Sequence, residues 1–531
     1  MKLNNKLLKL RVCLILGFLS LTFLTGCSNA QNTTSSTTAV QLNGSSYKQN
    51  TYRPQFHFTP NRNWTNDPNG LVYYHGEYHL FFQYNPYGSK WGHMSWGHAV
   101  SPDMIHWKQL SVAIPEANHI MIFSGSAVVD SNNTSGFGKD GKIPMVAIYT
   151  GYNTQTHIQD QRLAYSLDYG RTWTKYKGNP VINIDSKNFR DPKVFWYQPK
   201  HYWVMVVSLA TQHKVRFYSS PDLKKWTKLS EFGPDGATSS AWECPMLDKV
   251  SVQGQPSQKK WVLEISSAID GVQNGIYFVG DFNGKTFTPD PEYKNNAHRV
   301  DYGMDFYAAT SWANIPTKDG RTLWLAWMDN WKYAQDAPTH PFRGLMTIPR
   351  SVSLNKGNNG YQLIQNPVKE LQSLRGKHYH FDNLSVSSSI MDLSKRGISG
   401  TSLEIMATLK PSTAKKFGFQ VRKGENQQTV IGYKPNENKL YVDRTQAGDN
   451  KFSNDFPGGI QTAPLQLDNG LIHLHILVDH SSVEVFANGG KRVITDDIYP
   501  KLSSDGLQLF ADNGSVTVTS LDIWKLKPYR K

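Results

Sequence analysis

A short aromatic turn recurs along the first part of this 531-residue chain and constrains its fold more than any other feature. Ser101-Pro102-Asp103-Met104-Ile105-His106-Trp107 returns as Ser220-Pro221-Asp222-Leu223-Lys224-Lys225-Trp226. A looser copy with one inserted glycine runs from Ser166 to Trp173, and Asp281 to Phe287 forms a fourth. The copies lie roughly 50 to 70 residues apart, and each closes one β-rich run and opens another. Four short strands per unit, repeated radially, make a β-propeller. Aromatic content of 12%, with 15 Trp and many Gly and Pro turns, favours β structure over helix bundles.

The chain is too long for one ordinary domain, and its pattern changes after about residue 365. Pro367 to Leu374 reads as a short helix that Arg375-Gly376 ends. Beyond it come alternating strands without the Trp turn, including Leu403 to Leu409, Phe417 to Val421, Ile472 to Val478 and Val516 to Ile523. Such strands suggest a β-sandwich. The expected fold is all-β: a propeller over 51–365, a short helical linker over 366–378 and a sandwich over 379–531.

The N-terminus reads as a targeting device. A basic start precedes an apolar run from Val12 to Leu24 that is too short to span a membrane as a stable helix. Leu24-Thr25-Gly26-Cys27 resembles the lipobox of bacterial lipoproteins, which implies a signal peptide over 1–26, lipidation of Cys27 and a polar tether over 27–50. The expected place is the extracellular face of a bacterial membrane, held only by the lipid, or the medium if the lipobox is not used. The formal charge of +15 is scattered, with no basic helix or long run, so nucleic acid is not an expected partner. After processing, Cys244 has no partner within the chain, so no disulfide framework holds the fold.

Three carboxylates stand in unusual settings. In Trp64-Thr65-Asn66-Asp67-Pro68-Asn69-Gly70, Asp67 sits at a rigid bend beside a flat aromatic and an amide. The ring can stack on a sugar, the amide can bind hydroxyls, and the carboxylate can attack or stabilise a cationic carbon. Arg190-Asp191-Pro192 holds a second carboxylate at a turn, with an Arg expected to keep it ionised. Trp242-Glu243-Cys244-Pro245 places a glutamate among apolar neighbours, where a raised pKa would suit a general acid. Together they fit glycoside cleavage, one group attacking and another protonating the leaving oxygen. His75, His79, His93 and His98 match no zinc spacing and read as structural, so neither metal nor cofactor is expected. Cys244 has no local His to activate it and reads as a packing neighbour of Glu243.

At these residues the chain resembles glycoside hydrolase family 32, the β-fructofuranosidases, over roughly residues 52 to 528. The resemblance implies a five-bladed propeller with an appended β-sandwich and hydrolysis with retention of configuration. It implies Asp67 as nucleophile, Asp191 as transition-state stabiliser and Glu243 as acid/base; Thr65 stands where the family more often has Met. Asn66, Gln83, Trp91 and the Phe123-Ser124-Gly125-Ser126 run resemble the family's sugar contacts, with Trp64, Arg190, Asp305 and Trp331 as further candidates. Leu477 to Phe486 matches the sandwich signature, in which Glu484 is expected to serve structure. The run Trp91 to His98 resembles exo-acting levanases and inulinases as well as some invertases; with the expected surface placement, where a tethered enzyme can trim polymers too large to import, the expected substrate is a fructan, levan favoured, with inulin and sucrose as lesser substrates. The alternatives are a fructosyltransferase on the same triad, an inactive fructan-binding surface protein, and an arabinan-cleaving relative, the last disfavoured by the Asp67 motif and the sandwich signature.

Overall fold

Each of the four repeated turns joins the third strand of a four-stranded antiparallel meander to the fourth. The reason is local. Asp103 Oδ1 accepts the backbone N–H groups of Ile105 and His106, Asp222 Oδ1 those of Lys224 and Lys225, and Asn283 Oδ1 those of Lys285 and Thr286. In the glycine-inserted copy Asp168 Oδ1 accepts from Thr172. The residue after each Asp or Asn is left-handed: Met104 at φ 66°, Tyr169 at 58°, Leu223 at 63° and Gly284 at 92°. A side chain that bonds its own backbone two residues on makes this turn from sequence alone.

The computed structural model describes residues 51–269 and 271–530; the expected signal peptide, Cys27 and the tether lie outside them. No helix of the described residues is long and apolar enough to cross a membrane. The described chain is almost entirely β. Blade I contains Asn63–Tyr74, Glu77–Tyr84, Ser95–Ser101 and Lys108–Gln109. Blades II and III begin with Ile120–Val129 and Phe189–Tyr197. Blades IV and V begin with Glu243–Val252 and Tyr307–Ser311; they share one continuous sheet, joined between blades by the single pair Val252 and Leu354. Blade V (Tyr307–Ser311, Thr322–Met328, Arg350–Gly357, Gly360–Pro367) lacks the Asp turn. The first strands pack in ring order, and the fifth returns to the first. Phe342–Arg343 adds parallel to Asn63–Trp64 and ties the last blade to the first.

Lys369–Leu374 connects the propeller to the sandwich as a 3₁₀-helix, inside the segment expected to be helical. Arg375 is extended and starts the next strand at once, so no glycine cap is used. The sandwich packs two six-stranded sheets, one running from Arg375–Ser387 to Arg492–Asp497 and the other from Ile390–Asp392 to Ile460–Pro464. Their inward faces form one apolar core that includes Phe417, Phe419, Ile431, Ile476, Val485 and Ile523.

Charged residues fill the seam between sandwich and propeller. Arg350 Nη2 donates to Glu484 Oε2 at 2.7 Å and Nη1 to Asp301 Oδ2 at 3.0 Å, all three wholly or almost wholly buried. His57 bridges Asp479 at 2.8 Å and Glu484 at 3.0 Å. Burial opposes a charge on His57, but hydrogen bonds to the two carboxylates outweigh it and carry its pKa up to about 9. The sandwich signature around Glu484 therefore holds the two domains together through fully buried contacts.

Candidate active site

All five first strands carry a β-bulge at the same level. The register slips between Thr65 and Pro68, Ile122 and Gly125, Arg190 and Lys193, Glu243 and Met246, and Tyr307 and Thr310. A bulge bends its strand and re-aims a side chain. Asp191 (φ 65°), Cys244 (φ 47°) and Ala308 (φ 53°) are left-handed there, an uncommon conformation for residues with a Cβ. Past the bulge of blade I, Gly70 (φ 53°) is required as well as convenient: a Cβ there would lie 2.7 Å from Phe81 and 2.9 Å from Trp96.

The bulges aim Asp67, Asp191 and Glu243 into one cavity of about 340 Å³ at the end of the propeller axis. Every blade contributes to its wall: Asn66, Gln83 and Trp91 from the first, Phe123, Ser124, Tyr152 and Gln159 from the second, Asn188 and Arg190 from the third, Glu243 from the fourth and Trp331 from the fifth. That volume is in the range of small-ligand pockets. A larger groove of about 560 Å³ lies on the second sandwich sheet, and no carboxylate trio converges there.

Asp67 accepts from Asn66 Nδ2 at 3.0 Å on one oxygen and from Ser124 Oγ at 2.6 Å on the other. Cys244 Sγ reaches the same second oxygen at 3.5 Å, while its backbone N–H donates to Asp191 Oδ2 at 3.1 Å. One residue thus touches two of the three carboxylates. The thiol is pushed well up by burial and by the surrounding carboxylates, so it acts as a neutral donor and not as a nucleophile. Burial raises the pKa of Asp67, against the pull of Ser124 and Asn66. Burial also lifts Asp191 to about 7; Arg190 opposes the rise, while Glu243 and Asp67 reinforce it. Close, buried carboxylates resist ionising together, so a proton is readily held among them.

Two electrostatic expectations need correction. Arg190 was expected to serve Asp191, but its Nε lies 2.9 Å from Glu243 Oε1 and 3.8 Å from Asp191 Oδ2. Gln159 and Asn188 fix the guanidinium from behind, at 3.3 and 3.2 Å. Glu243 was expected among apolar neighbours; it is instead held between Arg190 and the Tyr307 hydroxyl, at 2.5 Å. Both deviations arise because the bulge turns each side chain away from its sequence neighbours and toward the next blade.

Two candidate sugar contacts also fall elsewhere. Trp64 is fully buried, packs on Trp327 and Trp331 and donates to Asn66 Oδ1, so it supports the wall from behind. Asp305 is fully buried in the seam with the sandwich, paired with Arg444 and Tyr333. Asn66, Gln83, Trp91, Phe123, Ser124, Arg190 and Trp331 do line the cavity. Tyr307, Tyr152, Gln159 and Asn188 were not singled out from sequence; only the equivalent place of Tyr307 on a fifth first strand marks it in advance. His79 and His98 pair with each other at 3.0 Å, and burial drives His79 down to about 4.

Comparison with known proteins agrees with this architecture. The profile of the glycosyl hydrolases family 32 N-terminal domain matches residues 57–367, and that of the family 32 C-terminal domain matches 370–525. The chain belongs to glycosyl hydrolase family 32. It is 52% identical to a levanase of Bacillus subtilis over 490 residues, covering 91% of this chain and 72% of that protein. An extracellular exo-inulinase of Aspergillus niger is 41% identical over 511 residues, 89% of this chain and 94% of that one. The exo-inulinase structure from Aspergillus awamori superposes with a TM-score of 0.84 at 38% identity, covering 90% of this chain and 99% of the other. As a family 32 protein this chain is a glycoside hydrolase built from a propeller and a β-sandwich. The bulged first strands deliver its carboxylates.

Proposed function

We propose that this family 32 enzyme is a retaining exo-β-D-fructosidase that removes terminal fructose from fructans, levan foremost, and also acts on inulin and sucrose. Asp67 attacks the anomeric carbon, Glu243 protonates the leaving oxygen and then activates water, and Asp191 binds ring hydroxyls as positive charge develops. The observation that carries this reading is the convergence of three carboxylates from blades I, III and IV in one pocket walled by all five blades. A pocket ringed by residues from every blade suits a chain end better than an internal bond, which needs a cleft that runs through. Trp91, 39% exposed at the rim and edge-on to Phe123, offers a stacking face beside the terminal sugar. Similarity to a levanase and to exo-inulinases supports fructans as the substrate class.

Parallel chromatography of levan, inulin and sucrose digests tests the assignment. Fructose is expected as the sole early product from the polymers, fastest from levan. Early oligosaccharides would indicate internal cleavage, and net oligosaccharide growth at high sucrose would indicate a transferase.

The lipobox reading completes the proposal: Cys27 anchors the enzyme outside the cell, where it trims polymers too large to import. Cys27→Ser is expected to shift the protein from the membrane fraction to the medium or to leave it unprocessed. Unchanged membrane retention rejects lipidation.

A further inference from the structure

The seam between propeller and sandwich contains two buried ionic clusters that are satisfied very differently. In the first, around Arg350 and His57, each carboxylate oxygen has a donor. Asp301 receives the Gly303 and Thr495 backbone N–H groups, Arg350 and the Thr495 hydroxyl; Glu484 receives His57, Ile348 N–H and Arg350. Asp479 receives His57 and the N–H groups of Gln55, Phe56 and His480. This is the ordinary rule for buried charge.

The second cluster breaks that rule. Asp305, Asp329, Asp496 and Asp497 are all at most 1% exposed. Asp305 is satisfied, by Tyr333, by Arg444 and by the backbone of Asp497. Three oxygens on three other carboxylates, Asp329 Oδ2, Asp496 Oδ2 and Asp497 Oδ1, have no hydrogen-bond partner among the described residues. Arg444 cannot serve them, because its donors go to Asp305, the Asp497 carbonyl, the Pro457 carbonyl and Tyr333. The other nearby guanidinium, Arg343, is directed to the Gln335 carbonyl and to Thr339. Four carboxylates thus face two guanidiniums, and three buried oxygens have no donor among the described residues. Leaving such groups bare is strongly unfavourable.

One oxygen from each of Asp305, Asp329 and Asp497 falls within 4.8 Å of the other two. Oxygens on opposite sides of a calcium ion, at about 2.4 Å each, are separated by about that distance. We propose that Asp305, Asp329 and Asp497 form a buried site for a divalent, oxygen-ligated cation of the calcium type that clamps blade V to the sandwich. The all-oxygen donor set, without Cys or His, disfavours zinc and copper. Asp329 lies two residues before Trp331, so the clamp also steadies one wall of the catalytic pocket.

Elemental analysis of the full chain, purified without chelator, and its thermal midpoint in EDTA or CaCl2 test the site. About one calcium per chain is expected, with a midpoint lowered by roughly 5 °C or more in EDTA and restored by CaCl2 but not by NaCl of equal ionic strength. Asp329→Asn is expected to lose the metal and the response to EDTA while remaining folded. The proposal is overturned if wild-type protein holds under about 0.1 equivalents of any divalent metal and ignores both EDTA and CaCl2. An Asp329→Asn midpoint above that of metal-free wild type, with no metal in either, would assign the cluster to shared protons.

Discussion

Asp67→Asn lowers kcat on sucrose and on levan by on the order of 10⁵-fold, on the proposed assignment, while the protein stays folded. The loss is large because no other side chain can take over. Asp191 is held by the Cys244 backbone, and Glu243 is engaged by Arg190 and Tyr307. The fold should tolerate the change well. Asp67 is a buried carboxylate that Glu243 repels, so the neutral amide relieves repulsion while keeping a partner for Ser124. The thermal midpoint is therefore expected to hold or rise, the usual relation between stability and a strained catalytic group. Steady-state kinetics and thermal unfolding on one preparation check both halves. A variant that keeps kcat within tenfold removes Asp67 from the nucleophile role, and a fructan-binding protein without activity would show no kcat to lose.

Glu243→Gln separates the steps that acid assistance serves from those it does not. On sucrose or levan, whose leaving groups need a proton, kcat/KM is expected to fall by about 10³- to 10⁴-fold. On a fructosyl donor with an activated leaving group, such as the fluoride, the first step needs no acid and the loss should be no more than about tenfold. Gln keeps an oxygen for Tyr307 but removes the charge facing Arg190, so some loss of pocket order will appear on both substrates alike. The ratio between the two losses is thus the informative quantity. Equal losses would mean that Glu243 only positions Arg190.

How far the sequence could be read depended on how local each interaction is. The turn carrying Asp103 is complete within seven residues: side chain, two backbone donors and one left-handed residue are all in the repeat. Asp67, Asp191 and Glu243 were recognisable for a similar reason, since each lies one or two residues before a proline. The electrostatics of the site were not. Arg190 adjoins Asp191 in sequence yet pairs with Glu243, 53 residues on, and Cys244 meets an Asp67 oxygen across 177 residues. Trp64 had the right residue type on the wrong side of its strand, and Asp305 lies just before the first strand of blade V, paired with the sandwich.

By itself, therefore, the sequence determined the repeat, the all-β character and the order of the three carboxylates. Each of these rests on hydrogen bonds and side-chain periodicity spanning a few residues. Which carboxylate meets the arginine, which aromatic faces the cavity and which aspartate is buried in the seam were decided only by tertiary structure. Those outcomes depend on a bulge in every first strand and on closure of the ring, which no single segment encodes.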